Sequence, residues 1–216
     1  MKLGVLGGTF NPIHLAHLRL CEELRESLGL ERVLLVPAGD PPLKNRDVAP
    51  AAHRLEMVRR ATASNPALEV DDLELRRAGP SYTVDTLREL SARHSGAELW
   101  FLVGADTLRD LESWREPARL FELANFAVAT RPGYVAPLRE LLPPELARPF
   151  RDGPHGLVHA SGHELRAVRF TPLEISASEI RRRAASGESI RYLVPDEVRE
   201  YIAKHRLYSH PPTDRK

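Results

Sequence analysis

The sequence predicts an α/β protein built on an open, doubly wound, mainly parallel sheet with helices on both faces. Three observations lead there. Aliphatic runs at 2–6, 32–37, 98–103 and 126–130 are almost continuous in hydrophobicity, as strands covered on both sides must be. Segments at 15–28, 51–64 and 84–94 instead carry apolar residues at helical spacing. The two kinds alternate along the chain, which is the pattern of strand–helix–strand crossovers.

Local signals place each further element. A strand is expected at 165–170, a helix at 176–185 behind a serine-rich start, and a last helix at 195–205 behind Pro195. Proline and glycine cluster at 37–50, read as a loop over a site, and at 131–156. The stretch 131–162 is read as a surface excursion with one short helix near 137–142. With 216 residues, 42% of them hydrophobic, the chain suits one core, so 1–208 is expected to form a single domain and 209–216 a flexible tail. Open sheets of this kind bind ligands beyond the carboxyl ends of their strands, which directs attention to the residues after Leu6, Val36 and Val103.

Composition excludes several classes of function. Lysine and arginine total 31 against 30 acidic residues, so no broad field draws the chain to nucleic acid or anionic lipid. No run approaches the roughly 18–20 apolar residues of a membrane span. The first residues lead directly into a core strand, so a cytoplasmic protein without a removable leader is expected. Cys21 is the lone cysteine, which excludes an internal disulfide or a multi-cysteine metal site and reads as a small buried hydrophobe.

The first strand ends in Gly7-Gly8-Thr9-Phe10-Asn11-Pro12, with His14 and His17 close behind. Two glycines allow a tight bend and bring backbone amides close to a ligand. Asn11 can cap the next helix, and a helix starting near His14 would turn free amides and the positive end of its dipole outward. His14 and His17 share one helical face, where imidazoles can donate to phosphoryl oxygens or simply pack and cap. Their spacing is one short of a helical zinc pair and no third ligand is near, so no protein-held metal is expected. The bend lacks both the dinucleotide glycine fingerprint and the P-loop lysine, which disfavours hydride transfer and γ-phosphate transfer.

Near the other end, Ile175-Ser176-Ala177-Ser178-Glu179-Ile180-Arg181 offers an N-cap at Ser176, a first-turn hydroxyl at Ser178 and a forked cation at Arg181. Arg182 and Arg183 read as solvated. In Gly79-Pro80-Ser81-Tyr82-Thr83-Val84-Asp85-Thr86-Leu87, a turn precedes a helix, and its exposed amides and hydroxyls can either cap or hold a carboxylate. Asp106, after the strand that ends at Val103 and Gly104, can accept ribose hydroxyls, help position a metal or cap a helix. Lys44 is a candidate phosphate clamp in the proline-rich loop. Trp114, read alone, is more often core than ligand platform.

The glycine bend with its His14-Leu15-Ala16-His17, together with the serine-rich helix start ending in Arg181, resembles the two signatures of the nucleotidyltransferase superfamily. Ala16 stands where that superfamily usually has glycine. The resemblance to its bacterial nicotinate mononucleotide adenylyltransferase branch runs from about residue 2 to residue 208. It rests on Pro41-Pro42-Leu43-Lys44, His53-Arg54-Leu55-Glu56-Met57, Ser81-Tyr82-Thr83, Gly104-Ala105-Asp106, Trp114, Arg131-Pro132-Gly133 and Tyr192-Leu193-Val194-Pro195. Leu43 replaces the histidine usual in that branch.

This resemblance implies a Rossmann-like fold and transfer of the adenylyl group of ATP to nicotinate mononucleotide, with magnesium arriving on ATP. It implies ATP contacts at Gly7, Gly8, Thr9, Phe10, His17, Gly104, Asp106, Ile175, Ser176, Ser178 and Arg181. His14, His17, Arg181 and Lys44 would carry the catalysis. The second substrate would meet Tyr82, Thr83, Trp114 and Lys44, its pyridine ring stacked on Trp114 and its carboxylate on main-chain groups near Tyr82 and Thr83. Rival readings are transfer to nicotinamide mononucleotide, phosphopantetheine or a cytidylyl acceptor, a non-catalytic nucleotide sensor, and an RNA-binding relative disfavoured by the neutral charge. Homo-oligomerisation is left open.

Overall fold

The computed structural model describes residues 1–41, 48–130, 133 and 137–209. The first half runs β1 (Lys2–Gly8), α1 (Leu15–Leu28), β2 (Arg32–Pro37), α2 (Ala51–Thr62), β3 (Leu68–Val70), α3 (Leu73–Arg76), α4 (Thr83–Arg93) and β4 (Glu98–Gly104). Then come α5 (Ala105–Arg109), a 3-10 turn (Asp110–Ser113), α6 (Pro117–Leu123) and β5 (Asn125–Thr130). The chain closes with α7 (Leu138–Leu141), α8 (Pro144–Ala147), β6 (Phe150–Gly153), β7 (Gly156–His159), β8 (Glu164–Arg169), α9 (Ala177–Ala185) and α10 (Asp196–Lys204).

Eight strands form one sheet in the order β3-β2-β1-β4-β5-β8-β7-β6. From β3 through β8 all neighbours are parallel, and β7 and β6 extend the sheet antiparallel. Because β1 pairs with both β2 and β4, the order reverses there and a crevice opens beyond the ends of β1 and β4. The doubly wound α/β fold read from the sequence is the fold observed.

Continuous hydrophobic strands are explained by burial on both faces. Leu34 and Val36 join a core with Val84, Leu87 and Leu90 of α4, whereas Val33 and Leu35 join a second core with Met57 and Val58 of α2. The same alternation separates Phe101 from Trp100 and Leu102 in β4. α1 contributes Cys21, Leu24 and Leu28 and ends at Gly29, whose φ of 63° gives the left-handed cap that a side chain would resist. Cys21 is buried, and its surroundings push the thiol well above its ordinary pKa, as an inert packing residue requires. No helix among the described residues is long and apolar enough to cross a membrane.

Two expectations are corrected. The stretch 131–162 is more than a surface excursion with one short helix, since β6 and β7 form a hairpin that buries Phe150 and Leu157 and pairs β7 with β8. Its strands are four residues each, too short to show periodicity, and the neighbouring β8 supplies the missing partner. The sequence reading also omitted β3, α3, α5 and α6, which are short elements ordered by the surfaces they pack on. Residues 210–216 of the expected tail, along with Pro42, Leu43, Lys44, Arg131 and Pro132, lie outside the described residues.

Candidate nucleotide-binding site

A cavity of about 270 Å³ opens where the topology predicts it. Gly7, Gly8 and Thr9 from the end of β1 form one side, Ala38 and Pro41 after β2 another, and Ser81, Tyr82 and Thr83 at the start of α4 a third. Phe101, Trp114 and Arg115 complete the wall, with Glu74 beneath. The volume lies near the lower edge of small-molecule sites, roughly 300–1,000 Å³, and so suits one nucleotide better than two. Trp114 is half-buried and meets Phe101 edge-on, ring centroids 6.2 Å apart at 78°. That contact fixes the indole plane and leaves a face for a flat ring. Arg115 lies over the Tyr82 ring at 4.7 Å and is the only cation on this wall among the described residues.

His14 and His17 stand at the start of α1, His14 as its N-cap. Their rings stack at 3.7 Å, and the His17 ring meets Phe10 edge-on at 5.2 Å. His17 Nδ1 accepts the backbone N–H of His14 at 3.3 Å, which leaves Nε2 to carry the ring's proton in the neutral form. His14 is 6% exposed; its Nδ1 is buried without a well-formed hydrogen bond, and burial lowers its pKa to about 4. It is therefore neutral at pH 7, and any bond it gives outward comes from Nε2. The expectation of free helix amides needs revision here. The Leu15 N–H donates to the Leu193 carbonyl at 3.0 Å and that of His17 to the His14 carbonyl at 3.0 Å, so anion binding falls more to side chains. Phe10 is also turned inward at 3% exposure, leaving only its backbone for a ligand.

The loop between the glycine bend and His14 is pinned from several distant elements. Arg54 donates to the Thr9 carbonyl at 2.8 Å, and Arg181 donates to the Asn11 carbonyl at 2.9 Å. Asn11 does not cap α1 as the sequence suggested. Its Oδ1 accepts the Ala49 N–H at 3.0 Å and the Tyr208 hydroxyl at 2.9 Å. Burial pushes the Tyr208 phenol above its ordinary pKa, so it remains a donor. Tyr208→Phe leaves Asn11 short of one donor and is expected to cost about 1 kcal/mol. A shift of the urea midpoint at constant slope would register that loss, and an unchanged midpoint would assign the bond no net value.

At α9 the N-cap is as expected: Ser176 Oγ accepts the Glu179 N–H at 3.2 Å, and Ser178 Oγ lies 3.2 Å from it. Arg182 and Arg183 bind Glu179 and Glu188, whereas Arg181 points the other way, to Asn11. The two sequence signatures therefore meet in space. They do not all face one cavity. Arg181 and Ser178 border a cleft with Ala49, Pro50 and Tyr208, and Ile175 and Ser176 border another with Glu179 and Leu193. Gly104 caps α5 and Asp106 lies exposed in its first turn, which removes the alternative of Asp106 as the cap. Among the described residues no three His, Cys, Asp or Glu side chains gather to hold a metal ion.

Sequence reasoning assigned no role to Arg54, Glu74, Tyr208 or Arg115, and it read Ser81 only as one of the hydroxyls before α4 able to hold a carboxylate. For Arg54 a signal existed: it shares the inward face of α2 with Met57, Val58 and Thr62 at helical spacing. The others carry no local mark.

Residues 5–183 match the cytidylyltransferase-like family. A protein of Citrifermentans bemidjiense named "Probable nicotinate-nucleotide adenylyltransferase" is 49% identical over 96% of this chain and 98% of its own. A protein of the same name from Trichlorobacter lovleyi is 49% identical over 96% of this chain and 99% of its own. Among solved structures, the Plasmodium falciparum nicotinic acid mononucleotide adenylyltransferase complexed with NaAD superposes with a TM-score of 0.74 at 19% identity. That match covers 96% of this chain and 97% of the other, and at such identity it speaks for the fold. The chain belongs to the cytidylyltransferase-like family and, within it, to the nicotinate-nucleotide adenylyltransferases.

Proposed function

We propose that the protein transfers the adenylyl group of ATP to the phosphate of nicotinate mononucleotide, releasing pyrophosphate and forming nicotinate adenine dinucleotide. The observation that carries this reading is the Arg181–Asn11 bond. It brings the serine-rich helix to the loop that leaves the glycine bend, and that bend walls an aromatic cavity. The mononucleotide occupies the cavity, its pyridine ring on Trp114 and its carboxylate near the first amides of α4 at Tyr82 and Thr83. Arg115 adds the positive charge that an acid, unlike its amide, would favour.

Its phosphate attacks the α-phosphorus of ATP in line, the bond to pyrophosphate breaks, and no covalent enzyme intermediate is needed. His17, through Nε2–H, and neutral His14 hold the phosphoryl oxygens, while Arg181 and Lys44 neutralise the charge that builds on the leaving group. Gly7, Gly8, Thr9 and the Phe10 backbone line the path of the phosphates. Gly104 and Asp106 take the ribose of ATP, and Ile175, Ser176 and Ser178 the adenylate side. Among the described residues the donors are imidazoles and a guanidinium without clustered carboxylates, which fits magnesium that would be held by the ATP phosphates and would supply charge neutralisation and orientation.

The test is pyrophosphate release from ATP with nicotinate mononucleotide, nicotinamide mononucleotide and phosphopantetheine in parallel. Turnover is expected with the first at a kcat/KM at least about tenfold above the second, a difference of about 1.4 kcal/mol. Equal rates for acid and amide would remove the carboxylate assignment, and ATP binding without turnover would favour a nucleotide sensor.

A further inference from the structure

We infer that the Ser81 hydroxyl, anchored on Glu74, is a positioning device that staples together two walls of the mononucleotide cavity and thereby sets affinity for that substrate alone. The inference rests on the assignment of this cavity to the mononucleotide. Ser81 Oγ accepts the Gly39 N–H at 3.0 Å and the Asp40 N–H at 3.2 Å. The Ser81 N–H in turn donates to the Asp40 carbonyl at 2.8 Å. Three bonds thus join the loop after β2 to the segment that opens α4, and Ala38, Pro41, Tyr82 and Thr83 on those segments face the cavity.

A hydroxyl has two lone pairs and one proton. Both lone pairs are spent on the two amides, so the hydroxyl proton must point elsewhere, and we assign it to the buried Glu74 carboxylate, whose ionised form the Ser81 hydroxyl favours. Glu74 is 7% exposed and accepts the Thr86 hydroxyl as well, while Arg77 donates to Thr86 Oγ1 at 3.1 Å. Burial pushes the Glu74 carboxyl above its ordinary pKa; the Thr86 and Ser81 hydroxyls and the charges of Arg77 and Arg54 pull the other way. The staple also lies on a close backbone approach. A Cβ at Gly39 would fall 2.3 Å from the Glu74 carbonyl oxygen, so only glycine lets the loop reach Ser81. The Gly39 carbonyl is committed too, accepting from Arg54 at 3.1 Å. Ser81 and Glu74 also border the cavity, but the Ser81 hydroxyl is committed to protein groups and acts on substrate through the two segments it joins.

Isothermal titration with nicotinate mononucleotide and, separately, with ATP tests the inference. Ser81→Ala strands two amides and is expected to weaken mononucleotide binding about tenfold while ATP affinity holds. Ser81→Thr keeps the hydroxyl and restores binding. Glu74→Gln keeps an acceptor for the Ser81 proton and stays within about threefold of wild type, whereas Glu74→Ala removes it and matches Ser81→Ala. Unchanged mononucleotide affinity in Ser81→Ala overturns the inference, as does equal weakening toward both ligands with a lowered melting temperature. A wild-type protein that does not bind the mononucleotide overturns the functional reading and this one with it. Wild-type binding with an indifferent Ser81→Ala overturns the staple alone.

Discussion

His17→Ala is expected to lower kcat for adenylyl transfer by about 10²–10³, the usual effect of deleting one preorganised donor to a transition-state oxygen, or roughly 2.7–4 kcal/mol. Preorganisation is visible in the free protein. The His17 ring is stacked on His14 and flanked by Phe10, and its Nδ1 is occupied by the His14 amide. With Nδ1 accepting, the proton resides on Nε2 and no tautomer change is needed when the phosphate arrives. Because charge builds on the leaving oxygens only as the bond to pyrophosphate breaks, the loss should fall on kcat, with the KM values for ATP and the mononucleotide within about threefold of wild type. His17→Gln, which can present an amide N–H from a similar position, should recover part of the rate. A folded His17→Ala protein with kcat within about threefold of wild type would rule out transition-state stabilisation by His17.

Neutral His14 sharpens this division of labour. A ring with its pKa at about 4 cannot bring positive charge to a phosphate at pH 7, so it offers a dipole and an N–H. Net charge must come from elsewhere. Arg181, already drawn to the loop by the Asn11 carbonyl, is the described cation best placed to supply it.

Legible and hidden features of the sequence divide along local and non-local lines. The strands of the parallel sheet were legible because burial on both faces forces uninterrupted aliphatic runs, a property of each segment by itself. β3, three residues long, and the β6–β7 hairpin were not, because pairing with β2 and β8 is what makes them strands. In the site, the glycine bend and the Ser176 cap are local devices and could be read directly. Their meeting could not: the Arg181–Asn11 and Tyr208–Asn11 bonds join residues at opposite ends of the chain. The mistaken role for Asn11 has the same origin. A cap was the only partner its neighbours offered, and Ala49 and Tyr208 are brought to it by tertiary structure. Burial of the His14 ring was likewise invisible, since an i, i+3 pair of histidines looks the same in a sequence whether it faces water or core.

Replacing Arg54 by methionine, of similar length but without donors, is expected to destabilise the fold by about 3 kcal/mol or more. Arg54 is 1% exposed, and its guanidinium donates to three carbonyls: Ala49 at 2.9 Å, Thr9 at 2.8 Å and Gly39 at 3.1 Å. Burial lowers its pKa from the ordinary guanidinium value, and the Tyr208 hydroxyl and Glu74 carboxylate act in the opposite direction. These carbonyls belong to the glycine bend, to the loop after β2, and to the residues just before α2. One planar fork therefore fixes the spacing of three segments around the site, and an apolar side chain would leave all three acceptors dry and unpaired. Each such orphan costs about 1–3 kcal/mol, and water entering the gap keeps the sum below strict additivity. For a chain of this length 1 kcal/mol shifts the melting temperature by about 2–4 °C, so a fall of at least about 6 °C is expected in a thermal scan. Arg54→Lys should fall between, because a single ammonium cannot span three diverging carbonyls. A drop of less than about 2 °C in Arg54→Met would mean that the three carbonyls find other donors. The glycine bend would then owe its shape to its own backbone and to the bonds at Asn11.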